Sequence, residues 1–294
     1  MSAERILKAI AVLAALLALS ALTIFPLWWM LVVSLETPAN AGAAMVGGGD
    51  VIKVWPSSPQ WWNYAQAVEE MGSRRREGFG EGFKDALANS TVITVLVCVG
   101  TILSSSLVGF AFARVRFRGR QGLFLLMLAT MMLPGQVTMI PLFLLFRSLG
   151  WIDTMLPLVV PAFFGSAFFV FMYRQFIAQV PEALVEAARI DGLGWLGIWW
   201  RIMLPLCRPV TAIVAVFTFI WTWNDFLGPL IYLQREESMT LAVALNGFRN
   251  QYGNLERVHL LMAASLLTML PCVLLFLGAQ KQFVEGLGAG AVKG

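Results

Sequence analysis

The chain has 294 residues, of which 59% are hydrophobic and only 13% are charged, against about 25% charged residues in a typical soluble domain. A mean hydropathy of +0.75 leaves more apolar surface than one water-soluble core can bury. This excludes a soluble enzyme, a nucleic-acid-binding protein and a secreted disulfide scaffold, and the placement of the charges matters more than their small net value of +4.

Six stretches are almost free of charge, and each is long enough for a membrane-crossing helix, which needs about 20 residues. The sequence therefore predicts an all-α membrane protein with six transmembrane helices in a single transmembrane domain of the cell inner membrane. An N-in, C-in orientation keeps most lysines and arginines on the cytoplasmic side, as membrane insertion favours. The predicted spans are 9–35, 87–113, 121–146, 154–173, 207–234 and 258–280, with an outer loop 36–85, a coupling loop 174–206 and a cytoplasmic tail 281–294.

Two features interrupt the first half of the chain. In the outer loop, residues around Trp61–Val68 favour a short amphipathic helix, and the Arg- and Gly-rich stretch within 65–85 indicates a solvated segment. In the third span, Pro134 predicts a kink, because proline frees a carbonyl that lipid cannot satisfy. The neighbouring Gln136 then lines a translocation path, or the kink is simply a structural bend.

The coupling loop contains a short helix with helix-start and helix-stop signals. Pro181 stands at its first turn and Gly192 just beyond its end. A short exposed helix of this kind, with small alanines on one face, is suited to docking on a soluble partner, although an ordinary linker helix remains the alternative. The candidate docking residues are Glu182, Ala183, Glu186, Ala187, Ala188, Asp191 and Gly192.

Asp225 is the only acidic residue inside the predicted spans, so we expect it to face the protein interior, because exposure to hydrocarbon is costly. Its neighbours Trp223 and Asn224 offer an aromatic face and an amide, which can line a solvated path. Asp225 then lines a translocation path or makes a structural hydrogen bond between helices. The candidate path residues, with Gln136, are Trp221, Trp223, Asn224 and Asp225.

The predicted outer loop 235–257 carries a second candidate contact surface. Glycine there permits close backbone approach, and amide and aromatic side chains can contact a protein or a sugar. An ordinary solvated loop is the alternative. The residues concerned are Asn246, Gly247, Phe248 and Tyr252.

The chain lacks the residues that catalytic, metal-binding and phosphate-binding sites usually need. His259 is the single histidine, and the three cysteines have no metal-ligand spacing, so we expect no catalytic, cofactor-binding or metal site. No Gly-Lys dipeptide occurs, so the chain has no phosphate-binding loop of the G-x-x-x-x-G-K type. Any ATP-driven process must therefore draw its energy from another chain.

One spacing is specific enough to identify a family. Glu186-Ala187-Ala188 is followed by Gly192, Ile202 and Leu204-Pro205, which matches the EAA---G---------I-LP pattern without a gap. The sequence thereby resembles permease subunits of ABC importers. The stretches Leu133–Val137, Trp223–Phe226, Met239–Leu241 and Gly290–Gly294 resemble the carbohydrate branch of the maltose-permease G-subunit type, whereas 65–85 departs from it.

The resemblance implies a non-catalytic subunit of an importer for sugars or sugar-like solutes. It implies pairing with a second homologous permease subunit, with two ATP-binding subunits that hold ATP and magnesium, and with an extracytoplasmic solute-binding protein. The 182–192 helix would couple to the ATPase, the outer loop before the last span would contact the binding protein, and the tail, including Gly290 and Lys293, would reach between the ATPases.

Two other functions compete with this one. A stand-alone ion-coupled carrier would use Asp225 as its membrane carboxylate, and a membrane-embedded enzyme would need a clustered nucleophile or metal site. Transport that depends on an ATPase distinguishes the importer from the carrier.

Overall fold

The computed structural model describes residues 3–46, 55–56, 58–71, 81–252 and 257–291, and every regular element among them is helical. The all-α prediction is confirmed. The α-helices are α1 (Ala3–Ser34), α2 (Pro38–Val46), α3 (Trp62–Glu70), α4 (Glu81–Arg114), α5 (Arg120–Thr130), α6 (Gly135–Ser148), α7 (Leu156–Val159), α8 (Ala167–Ala178), α9 (Glu182–Ile190), α10 (Trp195–Ile198), α11 (Leu204–Leu206), α12 (Arg208–Trp223), α13 (Leu227–Tyr232), α14 (Leu241–Tyr252) and α15 (Val258–Ala291).

Several of these helices are apolar enough to cross a membrane. In the described part of the chain, four segments qualify by length and composition, and two bent helix pairs raise the number to six if each pair is one crossing. The exact span boundaries and the N-in, C-in orientation stay predictions. The four segments are Leu7–Ser34, Gly82–Arg114, Leu156–Ala178 and Val258–Gln280.

Proline accounts for the sharper of the two bends. The predicted span 121–146 consists of two helices, α5 and α6, which meet at 97°. Pro134 has no N–H to continue α5, and its extended ψ of 132° ends the helical path before α6 begins at Gly135. The second bend, of 81°, separates the segment Trp195–Leu206 from α12.

The chain divides into two compact units, of which the first comprises Met1–Phe83 and Ala244–Leu270. In this unit, Asn63 of α3 donates hydrogen bonds from Nδ2 to the carbonyl oxygens of Ser34 (2.8 Å) and Glu36 (2.9 Å). An ion pair of 2.5 Å joins Arg257 to Glu70. The short helix expected near Trp61 is thus present as α3, fixed by polar contacts at the end of α1.

The second unit comprises Lys84–Val243 and Pro271–Gly294 and holds the main core. Small residues of α4 let neighbouring segments approach closely, as is common where helices pack in membranes. A Cβ at Gly109 would lie 2.7 Å from the Tyr173 Cβ, and Ser104 donates a hydrogen bond to the Ala162 carbonyl oxygen over 2.8 Å. The buried core residues are Phe110, Phe169, Tyr173, Ile177, Val185, Ala188, Ile198, Met203, Cys207, Val210 and Val214.

Candidate functional site

Helix α9 presents two distinct faces. Val185 and Ala188, three residues apart, are buried in the core of the second unit. The opposite side is exposed and carries both acidic and apolar groups, including Ile190 with 86% of its surface exposed. The exposed residues from the predicted docking set are Glu182, Ala183, Glu186, Ala187, Asp191 and Gly192.

The prediction that Ala188 is an exposed docking residue is therefore wrong. Its side chain is only 3% exposed, because it faces the same way as Val185 on a helix of 3.6 residues per turn. Ala188 instead anchors α9 to the bundle, while Ala187 remains on the free face.

Helix α9 ends just before Gly192, as the sequence predicts. Gly192 has φ +82°, the left-handed conformation that L side chains rarely adopt, and a Cβ there would meet nothing within 4 Å. The backbone conformation, and not space, requires glycine at this position. Beyond the turn, the Arg189 guanidinium lies over the Trp195 ring at 5.1 Å, which holds the two helices α9 and α10 together.

Asp225 lies outside a helix, so the predicted span 207–234 is not one continuous helix, while its boundaries stay a prediction. Helix α12 ends at Trp223, and the Asp225 carboxylate accepts a hydrogen bond from the Gly228 N–H (3.2 Å) in the first turn of α13. A Cβ at Gly228 would come within 2.5 Å of the Asp225 Oδ2, so glycine makes room for the carboxylate. Asp225 therefore has a structural role in starting α13.

Asp225 also lines a partly open cavity of about 310 Å³ in the second unit. The cavity combines one carboxylate, three hydroxyl groups and one indole ring with aliphatic walls. Of the lining residues, the sequence indicated Asp225 and Trp221 as candidate path residues, and it did not single out Ser90 or Thr240. The lining residues are Ser90, Ile93, Val97, Leu158, Trp221, Thr222, Asp225, Pro229 and Thr240.

The other predicted path residues do not line this cavity. Trp223 is buried and stacks on Phe219 with ring centroids 5.3 Å apart. Asn224 is exposed and donates a hydrogen bond to the Ile220 carbonyl oxygen (2.8 Å). Gln136 is exposed in the first turn of α6. The structure thus brings together Trp221 and Asp225 but not the remaining three.

The segment between α13 and α14 is fixed by side chains distant in sequence. Asn89 Nδ2 donates hydrogen bonds to the carbonyl oxygens of Glu237 (2.7 Å) and Met239 (3.1 Å). Ser90 Oγ accepts a hydrogen bond from the Leu241 N–H over 2.8 Å. These contacts place Thr240 at the cavity wall.

Much of the predicted outer loop 235–257 forms α14, and its place outside the membrane stays a prediction. Asn246 and Gly247 lie on α14, and a Cβ at the exposed Gly247 would meet nothing within 4 Å. Phe248 and Tyr252 belong to the same helix, and their side chains lie outside the described residues. These four residues remain a predicted contact surface.

The predicted tail continues α15 up to Ala291. Gly290 is part of that helix, whereas Lys293 lies outside the described residues. In the described part of the chain, no group of three or more His, Cys, Asp or Glu residues is arranged to hold a metal ion.

Comparison with known proteins places this geometry in a family. Residues 105–288 match the family model described as binding-protein-dependent transport system inner membrane component. The chain is 39% identical over 206 residues to the arabinooligosaccharides transport system permease protein AraQ of Halalkalibacterium halodurans, covering 70% of this chain and 73% of that protein. It is 34% identical over 253 residues to the melibiose/raffinose/stachyose import permease protein MelC of Bacillus subtilis, covering 84% and 86%.

The fold also matches a solved structure. A chain of a bacterial ABC transporter involved in the import of the acidic polysaccharide alginate superposes with a TM-score of 0.79 at 22% identity, covering 96% of this chain and 98% of that one. At this identity the likeness concerns the fold alone. With the family model covering more than half of the sequence, this chain belongs to the binding-protein-dependent transport system inner membrane components, as a permease subunit of an ABC importer.

Proposed function

We propose that this chain is the membrane-spanning permease that passes a neutral sugar or short oligosaccharide delivered by an extracytoplasmic binding protein. The geometry of α9 carries this proposal: one face is anchored in the core by Val185 and Ala188, and the other is free to contact a partner. A small, partly apolar contact suits a docking that must reverse in each transport cycle. The names of AraQ and MelC support a sugar as the solute.

The proposal includes partners that supply what this chain lacks. Two ATP-binding subunits would hold ATP and magnesium and receive α9, and a second homologous permease would complete the pathway across the lipid bilayer. The exposed α14 surface around Gly247 would contact the binding protein, and Gly290 and Lys293 would approach the ATPases. No nucleic acid takes part, and no cofactor binds to this chain.

The ion-coupled carrier has no support. Asp225 is its only candidate carboxylate, and this group accepts the Gly228 N–H at the start of α13. The family to which the chain belongs depends on a binding protein.

Reconstitution tests the proposal. The purified complex in liposomes should take up arabinotriose, melibiose, raffinose or lactose only when ATP and the sugar-loaded binding protein are both present. Uptake driven by an ion gradient without an ATPase would refute it.

A further inference from the structure

We propose that the cavity lined by Asp225, Trp221, Thr222, Thr240 and Ser90 binds one ring of a neutral sugar during its passage. This inference rests on the proposed function and deepens it, because it assigns a solute subsite to this subunit. The cavity volume of about 310 Å³ lies at the lower end of the roughly 300–1,000 Å³ typical of ligand pockets, which suits one ring better than a whole oligosaccharide.

The apolar wall of the cavity is held rigidly. Trp221 is 54% exposed, and its ring contacts those of Phe168, Phe169 and Phe217 with centroids 6.1, 5.5 and 5.7 Å away. Three phenyl rings therefore fix an indole that remains accessible. A flat aromatic surface of this kind can pack against the C–H face of a sugar ring, because that face is apolar while the hydroxyl groups point outward.

The polar wall offers hydrogen-bonding capacity that the protein does not use. Thr240 is only 5% exposed, and its Oγ1 has no hydrogen-bond partner among the described residues. A buried hydroxyl without a partner is unfavourable, so a ligand that supplies the missing hydrogen bond gains affinity. Ser90 Oγ accepts the Leu241 N–H, which leaves its own hydrogen available for donation.

The charge of the cavity selects among solutes. A carboxylate has about four acceptor positions, and the Gly228 and Leu227 N–H groups occupy two of those of Asp225. Among the described residues no cation forms an ion pair with it within 4.0 Å. Sugar hydroxyl groups can donate to the remaining positions, whereas an anionic sugar would be repelled by the uncompensated negative charge.

The chain offers a closely matched pair of variants to test this subsite. Thr240 and Thr218 are 5% and 4% exposed, and each has a hydroxyl without a partner among the described residues, but only Thr240 lines the cavity. Thr240→Val and Thr218→Val remove the same atom with almost no change of shape. Asp225→Asn keeps an acceptor for the Gly228 N–H and removes the charge.

The experiment measures sugar retained in the complete complex. The complex is trapped with vanadate after ATP hydrolysis in the presence of the binding protein and radiolabelled arabinotriose, melibiose, raffinose or lactose, using each sugar whose uptake the wild type supports. Half-saturating sugar concentrations for retention are then compared. We expect an increase of about threefold to tenfold for Thr240→Val, about tenfold or more for Asp225→Asn, and less than about twofold for Thr218→Val.

The outcomes separate this inference from the proposed function. If the wild type transports a sugar and Thr240→Val and Asp225→Asn retain it as the wild type does, the subsite is refuted and the permease function stands. Equal losses in Thr240→Val and Thr218→Val would also refute the subsite, because they would indicate a general effect on the fold. If the wild type takes up none of the four sugars with ATP and the binding protein, the proposed function fails and the subsite with it.

Discussion

The guanidinium of Arg114, in the last turn of α4, donates a hydrogen bond of 2.7 Å to the carbonyl oxygen of Ile177 near the end of α8. A second hydrogen bond goes to the carbonyl oxygen of Val180. Pro181 has no N–H, so the Ile177 carbonyl oxygen cannot accept the bond that a continuing α-helix would supply, and it accepts the Val180 N–H (3.2 Å) instead. Arg114 adds a second donor and fixes the position at which the chain leaves the bundle for α9.

We predict that Arg114→Lys weakens this junction, because both hydrogen bonds come from the terminal Nη2 of the guanidinium, and the lysine side chain ends one bond shorter. Hydrogen bonds to charged groups contribute about 1.5–3 kcal/mol each. The melting temperature of the purified complex should fall by several degrees, and stimulation of ATP hydrolysis by the binding protein should fall with it. The exposed Arg118 provides the control, since Arg118→Lys should change neither value. Equal behaviour of the two variants would contradict the assignment.

A second prediction concerns the turn after α9. Gly192 has φ +82°, and forcing a β-branched residue into the left-handed region costs about 1–2 kcal/mol. Gly192→Val should leave membrane insertion and pairing with the second permease intact while ATPase association or sugar-stimulated hydrolysis falls sharply. Gly192→Asn should retain more activity, because asparagine tolerates this conformation.

Gly194 supplies the matched control for that turn. It also has open space around a Cβ, but its φ of −73° and ψ of 167° suit any residue. Gly194→Val should therefore couple normally. Wild-type coupling in Gly192→Val, measured as hydrolysis stimulated by the sugar-loaded binding protein, would show that α9 is only a linker.

The third prediction separates the two faces of α9. Ala187→Trp adds bulk on the exposed face, so it should block ATPase binding without lowering the melting temperature of the permease. Ala188→Trp adds the same bulk inside the core, where overpacking costs typically about 1–3 kcal/mol, so it should destabilise the permease itself. Ala187→Trp with normal ATPase affinity would remove α9 from the interface.

Local signals account for what the sequence predicted correctly in this region. A proline at the start, a glycine beyond the end and a helical period are all read within about a dozen residues. The orientation of the helix is not local. Ala187 and Ala188 are chemically identical, and only packing against α8 and its neighbours determines that Ala188 faces inward.

The cavity could not be predicted from the sequence, for a similar reason. Ser90 and Leu241 are 151 positions apart, and no motif links them before the helices pack. Asp225 could be singled out from the sequence because a lone carboxylate in a predicted span is conspicuous. Its position in a turn between two helices could not be predicted. Trp223 and Asp225 are neighbours in sequence, yet one packs on Phe219 and the other lines the cavity.

The fourth prediction tests the close contact between α4 and α8. A Cβ at Gly109 would lie 2.7 Å from the Tyr173 Cβ and 3.0 Å from the Val170 carbonyl oxygen, and the backbone atom cannot move aside cheaply. Gly109→Ala should therefore lower the melting temperature. Gly122→Ala is the control, because a Cβ there meets nothing within 4 Å and alanine favours a helix by about 0.5–1 kcal/mol. The two substitutions should thus change stability in opposite directions, and a stabilised Gly109→Ala variant would contradict the packing.

The last prediction concerns α14 as the surface for the binding protein. Gly247 is exposed with open space around it, so Gly247→Trp should leave the permease fold and basal ATP hydrolysis unchanged. If a partner approaches this backbone closely, the indole must obstruct it, and about tenfold more binding protein should be needed for half-maximal stimulation, equivalent to about 1.4 kcal/mol. Gly247→Ser should remain near wild type, because it adds only a small group. An unchanged half-maximal concentration in Gly247→Trp would exclude this part of α14 from the contact.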